Sequence, residues 1–372
     1  MKVTLSGDAL NTAVGWVAKM LPSRPEVPVT AGILIAADDE LSLSVFDFET
    51  AGTVTVPGAV VDPGRALVSG VLLARVAKVA RGGDVDLVAD GGKLRVTAGS
   101  SRWNLPLMRI EDYPALPAAG DVLGELAGDV LRTALARVLP AAAKGTAAAG
   151  LLPVLGGVAL AADDGVLTVA ATDRYRLAVA EVQWLGDPFD QIVVPADLLG
   201  DVLGVLGSQV VLRCDQSLVT VESGAHRVSG RLIAADYPRF ETLLNVAGDL
   251  VTVLPVAGLQ ASVERVSAVL GAVGALRMDV TADGVRLSAS SDDEADAGDE
   301  CPVVSHAGPD LTVGLNPGYF TDALGAMGTE LVVLTVPDRA NPPLLLRPVG
   351  PDENPVAGYR HLVMSHKLAA QS

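Results

Sequence analysis

The stretch Gly165-Val-Leu-Thr-Val-Ala-Ala-Thr-Asp-Arg-Tyr-Arg-Leu-Ala-Val179 decides how the rest of the chain is read. Its first half is β-rich, a compact polar cluster interrupts it at Thr172–Arg176, and a second apolar run follows. A weaker copy lies upstream as Leu41-Ser-Leu-Ser-Val-Phe-Asp-Phe-Glu49, and another lies downstream as Gly284-Val-Arg-Leu-Ser-Ala-Ser-Ser-Asp-Asp-Glu294. In each, apolar/polar alternation leads into an acidic residue, so that Asp47, Asp173 and Asp292 take equivalent places 126 and 119 residues apart. Three copies predict three domains, at residues 1–120, 121–247 and 248–372, with Pro117–Gly120 and Ala247–Gly248 as linkers.

Other features keep the same period. Each repeat opens with a short strand and a helix-period segment, at Leu10–Leu21, Val130–Leu139 and Leu259–Leu270, with apolar residues at i, i+3, i+4 and i+7. Pro22 and Pro140 are expected to stop the first two, because proline cannot extend the hydrogen-bond ladder. A second helix is predicted after a strand within 66–79, 192–203 and 311–324, with Ser69 and Asn316 as N-caps and Pro195 at a helix start. Alternating runs then predict hairpins, at 85–88 with 93–96 around Asp90-Gly-Gly92, at 210–213 with 218–221, and at 331–334 with 344–347. Ile110-Glu-Asp-Tyr-Pro-Ala-Leu116 is answered by Ala234-Ala-Asp-Tyr-Pro-Arg-Phe240. The fold class is therefore α+β, each domain with two helices packed on antiparallel sheets.

A length of 372 with 50% apolar residues builds a core in each of two or three domains. Cys214 and Cys301 fall in different repeats, show no metal spacing, and are expected to be buried, inert thiols in a reducing cytoplasm. The start lacks a signal-peptide core, and no run approaches the ~18 apolar residues of a membrane span. A formal charge of −17 excludes a surface that is basic throughout. It leaves room for one basic face, since charges more than about 8 Å apart are largely screened at physiological salt. There is no Walker loop, GxSxG elbow or HExxH pair, and His226, His306, His361 and His366 are scattered, so neither enzyme chemistry nor a cofactor is expected.

The triple repeat of about 120 residues, the Thr-Asp-Arg-Tyr-Arg-Leu-Ala-Val segment, the Tyr-Pro closing motif and the C-terminal Leu-Val-Met together resemble the bacterial DNA polymerase III β subunit family, the replicative sliding clamps. That resemblance spans the chain. It implies a head-to-tail homodimer closing into a ring around duplex DNA, without sequence preference, that tethers the polymerase for processive synthesis. Helices would line the hole and continuous sheets lie outside, leaving no exposed edge. The implied partners are the polymerase III α subunit, the clamp loader and other clamp-motif peptides, with a cyclic-peptide inhibitor as a further candidate.

Residue by residue, the resemblance maps a peptide-binding pocket onto Leu155, Thr172, Arg174, Tyr175, Arg176, Leu177, Pro238, Thr242, Leu243, Leu362, Met364, Ser365, His366 and Lys367. The competing reading is an ordinary interdomain core. Lys19, Arg24, Arg137, Lys144 and Arg265 are the expected DNA-facing cations, a collective assignment in which any one is nearly as well read as a solvated charge. Arg75, Arg95 and Arg102 on the first domain are set against Asp292, Asp293, Glu294 and Glu300 on the third as dimer contacts, with a solvated acidic loop as the alternative. The family's usual C-terminal Met-Pro-x-Arg-Leu is here Met364-Ser-His-Lys-Leu368, Asn245 stands where Leu-Leu is usually followed by proline, and Thr242 stands where some relatives have arginine. Serine frees φ and adds an amide donor, while lysine lacks arginine's planar fork. This opens a second reading, a specialised paralogue that serves repair or confers resistance to a clamp-targeting antibiotic.

Overall fold

The structure is a computed structural model, described here for residues 1–145, 152–246, 248, 250–271, 274–291, 295–337, 339, 341–352, 354–366 and 368. Contacts gather the chain into two compact units. One comprises 1–129, 185–187 and 197–232, and the other 130–184, 188–196 and 233–372.

The first unit holds a five-stranded sheet in the order 59–62, 2–6, 84–90, 93–98, 101–106. Its nine-stranded sheet runs 185–186, 121–127, 209–214, 218–223, 226–231, 50–56, 41–46, 32–37, 64–69. The second unit holds a nine-stranded sheet in the order 189–195, 157–163, 166–172, 176–183, 359–364, 343–349, 331–336, 250–255, 305–307, and a four-stranded sheet 295–301, 285–291, 276–280, 311–315. Both long sheets join different sequence repeats. His226–Arg231 pairs with Thr50–Val56, and Arg176–Gln183 pairs with Tyr359–Met364, all antiparallel.

The helices among the described residues are α1 (Gly7–Val17), α2 (Gly70–Val79), α3 (Gly128–Val138), α4 (Ala196–Val202), α5 (Val256–Ser267) and α6 (Pro317–Gly325). They recur in pairs as the periodicity predicts, each starting a few residues earlier than the apolar pattern or directly off a strand. The opening helix of each repeat is capped in one way. The first amide of α1 donates to Gly83 O (2.8 Å), that of α3 to Ser208 O (3.1 Å) and that of α5 to Glu330 O (2.9 Å). A loop carbonyl thus satisfies a donor that a side chain usually serves. Gly7 and Gly128 are required there, because a Cβ would meet the carbonyls of Ala80 and Gly207 at 1.9 and 2.0 Å.

Three local expectations change. Ser69 makes no side-chain cap hydrogen bond, its backbone being taken by pairing with Gly32, whereas Asn316 accepts from Tyr319 N at 3.1 Å. α3 ends two residues before Pro140, as expected, but the chain there tightens into a 3₁₀ turn, Leu139–Ala141, that includes the proline, as α1 also tightens into Ala18–Met20 before Pro22. Cys301 is buried as expected, but Cys214 is only partly covered; burial raises both thiol pKa values. The Gly91-Gly92 turn has positive φ at both residues, as a two-residue hairpin loop requires. None of the helices among the described residues is long and apolar enough to cross a membrane.

The capping difference is directly testable. Asn316→Ala is expected to destabilise the protein by about 1 kcal/mol, the usual loss of an N-cap, while Ser69→Ala stays within about 0.5 kcal/mol, as surface changes usually do. Urea unfolding midpoints of the two variants check this.

Candidate functional site

The polar cluster of the opening stretch is a turn with a defined mould. Strand Val166–Thr172 ends, Asp173 Oδ1 accepts from Tyr175 N and Arg176 N (both 3.0 Å), Arg174 takes φ +80°, and strand Arg176–Gln183 begins. Asp47 does the same. Its Oδ1 accepts from Glu49 N (3.0 Å) and Thr50 N (2.7 Å), around Phe48 at φ +76°. Positive φ is uncommon outside glycine, and here the aspartate's two bonds hold it. The third expected copy, at Asp292, lies outside the described residues.

Around the second turn the chain assembles an apolar floor. Thr172 pairs with Leu177, Leu177 with Leu362, and Leu362 with Leu345, so these four side chains form one row on one sheet face. The next row on that face is Val193, Ala159, Ala170, Val179 and Arg360. Leu155, Tyr237, Phe240 and Leu244 pack on these rows, and Met364 closes the cluster from a partly exposed position. Tyr237 ties roof to floor. Its hydroxyl accepts from Thr172 N (2.9 Å), donates to Gly157 O (3.5 Å), and is held protonated by burial.

The rim is aromatic and charged. Arg176, 7% exposed, donates through Nε to Asp173 Oδ2 (3.0 Å) and through Nη1 to Asp322 Oδ2 (2.5 Å) on α6. Its guanidinium lies 4.4 Å from the centre of the Tyr319 ring, and Tyr319 stacks with Tyr175 at 6.3 Å and 22°. Tyr175 and Leu243 remain 56% and 53% exposed, an aromatic and an aliphatic surface standing beside a covered floor. The C-terminal segment completes the rim. Met364 N donates to Tyr175 O (2.8 Å) and His366 N to Gly314 O (2.6 Å), while Ser365 Oγ is covered.

The structure brings together Leu155, Thr172, Arg176, Leu177, Leu362 and Met364, with Arg174, Tyr175, Pro238, Thr242, Leu243 and His366 exposed near them in sequence. Lys367 lies outside the described residues. Tyr319, Asp322, Tyr237, Phe240 and Leu244 were missed as site residues. The two tyrosines were visible only as a closing motif and a helix residue, and nothing in sequence spacing links residue 176 to residue 322.

Lys19, Arg24 and Lys144 are exposed. Arg137 and Arg265 are engaged. Arg137 donates to Met327 O (3.0 Å) and lies 5.1 Å from the centre of the Tyr359 ring, and Arg265 pairs with Asp299. Arg75 is exposed on α2, and Arg95 and Arg102 share the exposed face of the edge hairpin 93–106. Glu300 is exposed on the edge strand Ala295–Cys301; Asp292, Asp293 and Glu294 lie outside the described residues.

Models of the three domains of the DNA polymerase III beta subunit match this chain, the N-terminal domain at 1–117, the central domain at 125–239 and the C-terminal domain at 247–359. The beta sliding clamp of Streptomyces coelicolor is 33% identical over 380 residues, covering 99% of this chain and 100% of the relative. The beta sliding clamp homolog GriR of Streptomyces muensis is 27% identical over 372 residues, covering 98% of each. The DnaN sliding clamp of Pseudomonas aeruginosa, solved bound to griselimycin, shares the fold with a TM-score of 0.89 at 24% identity, over 99% of this chain and 100% of that one. With the Asp173 turn, the repeated capping and the sheets that join the repeats all present, the chain belongs to the DNA polymerase III β subunit family.

Proposed function

We propose that this chain is a DNA sliding clamp. Two copies close head to tail around duplex DNA, and linear motifs of the polymerase α subunit and the clamp loader dock at the Leu177–Leu362 floor. The observation that carries this reading is the apolar row beside the exposed Tyr175, stacked on half-buried Tyr319, in a chain matched by the family along nearly its whole length. Such a site offers apolar anchors for two or three side chains and a few polar groups that fix an extended peptide. The protein then acts as a tether rather than a catalyst.

The free edges support closure. Strand Ser101–Pro106 ends one sheet and carries Arg102, and strand Ala295–Cys301 ends another and carries Asp296 and Glu300. Unpaired edges of opposite charge suit a heterologous interface, and two repeats of it close a ring. The domain division at 120 and 247 belongs to this proposal.

Loading the protein onto a nicked circular plasmid with its cognate loader tests the central claim. A clamp stays on the circle and leaves when it is linearised; retention on the linear form refutes encirclement. Arg24→Ala is expected to weaken duplex binding equally across sequences and to lower the salt slope by roughly 1. Leu177→Ala is expected to cost a linear clamp-motif peptide at least tenfold in affinity, read by calorimetry, because an apolar anchor loses about 1.5–3 kcal/mol of burial.

The tail favours a second reading in which this clamp is a copy specialised against a cyclic-peptide inhibitor. Ser365 replaces the usual proline within a rim pinned at Tyr175 and Gly314, and GriR is among the relatives. Restoring proline at Ser365 and arginine at Lys367 is expected to tighten griselimycin more than a linear peptide. Equal calorimetric affinities before and after the change remove this reading.

A further inference from the structure

The sheet face that floors the groove continues past it. Beyond the middle row lies a third, in which Ala161 pairs with Thr168 and Thr168 with Glu181, while Gln191 stands across the bulge between Leu160 and Ala162. This row opens into a separate cavity of about 340 Å³. Phe240 and Leu244 roof it, and the same two side chains belong to the apolar cluster of the groove. The 3₁₀ turn Glu241–Leu244 therefore covers both the apolar cluster and this cavity on one sheet face.

The chemistry of this cavity differs from that of the apolar cluster beside it. Its base is made of the small side chains Ala159 and Ala161, which leave space beside Thr168 and Val179 on the same sheet face. Its wall is polar. Arg360 is paired with Glu181, which neutralises both. Glu241 is a further carboxylate on the wall, oriented by the Phe240 N–H donating to its Oε2 at 3.1 Å. Asn245 and Gln191 add neutral amides, each of which can turn its oxygen toward a donor. The unbalanced charge of the lining is thus one carboxylate, beside neutral polar groups and above an apolar base. An anion meets Glu241 and finds Arg360 already engaged, whereas a cation with a short alkyl body meets acceptors at its head and methyl groups along its stem.

We propose that this cavity is a second ligand site, separate from the peptide groove, that takes a monocationic alkylguanidinium or alkylammonium group. The head group donates to Glu241 and the neighbouring amide oxygens, and the stem lies on Ala159, Ala161 and Phe240. The volume sits near the lower end of small-molecule sites, roughly 300–1,000 Å³, which suits a stem of several carbons.

Hexylguanidine, with hexanoate as the matched anion, is the probe, titrated into the full-length protein while methyl signals of Ala159, Ala161 and Val179 are followed by NMR. Saturable shifts with hexylguanidine and none with hexanoate are expected. Glu241→Gln is expected to weaken binding about fivefold, the loss of a partly exposed charged hydrogen bond. Ala161→Leu fills the base and is expected to abolish binding; melting temperature and far-UV spectrum report whether each variant is folded. Shifts with hexanoate of equal size, no saturation, or an affinity unchanged by Glu241→Gln overturn the proposal. So does binding that survives in a folded Ala161→Leu protein. A linear clamp-motif peptide, titrated separately, shows whether the groove itself is intact.

Discussion

Arg176 is the residue on which the site's geometry rests. A guanidinium left with 7% exposure is costly unless every side of it is used, and here Asp173 takes Nε, Asp322 takes Nη1 and the Tyr319 face covers the plane. The three partners come from two separate parts of the chain. Asp173 also fixes the turn, and Asp322 and Tyr319 sit on α6, so satisfying one charge sets the turn, the helix and the aromatic wall together. Removing either carboxylate takes away a partner from a covered cation, which is why such arrangements cost far more to break than they contribute when whole.

The fold was legible because its repeat is local. Asp47 and Asp173 are followed by residues in the same strained conformation, and the tyrosines of the two Tyr-Pro motifs, Tyr113 and Tyr237, are both buried. Helix starts were read less well. The expectation for Ser69 followed composition, but its backbone belongs to a strand paired with Gly32, and at the opening helices the first amide is met by a loop carbonyl some 75 residues on. That bond is made by backbone, so no residue type announces it; only the glycines at 7 and 128 leave a trace, as positions without room for a Cβ.

The candidate site was half legible. Its floor could be placed because the strands carry apolar residues in alternation, and the resemblance supplied their roles. The wall could not, because Tyr175 and Tyr319 come together only when the third repeat's helix packs against the second repeat's turn. The same limit applies to Arg137, expected as a DNA-facing cation, whose guanidinium donates to Met327 O and lies beside the Tyr359 ring. Sequence gives the charge of a residue, and tertiary contact decides what that charge faces.

The pairing of Leu177 with Leu362 also has a temporal side. Strand Tyr359–Met364 is inserted between Arg176–Gln183 and Pro343–Val349, partners made far earlier on the chain and shortly before it. Contacts of such long sequence separation form late, after the entropy of closing the loop has been met. A nascent chain therefore displays the Asp173 turn well before it has any groove beside it. A polypeptide broken off before residue 359 lacks Leu362, which joins Leu177 to Leu345, so the floor row closes only when synthesis has run nearly to the end.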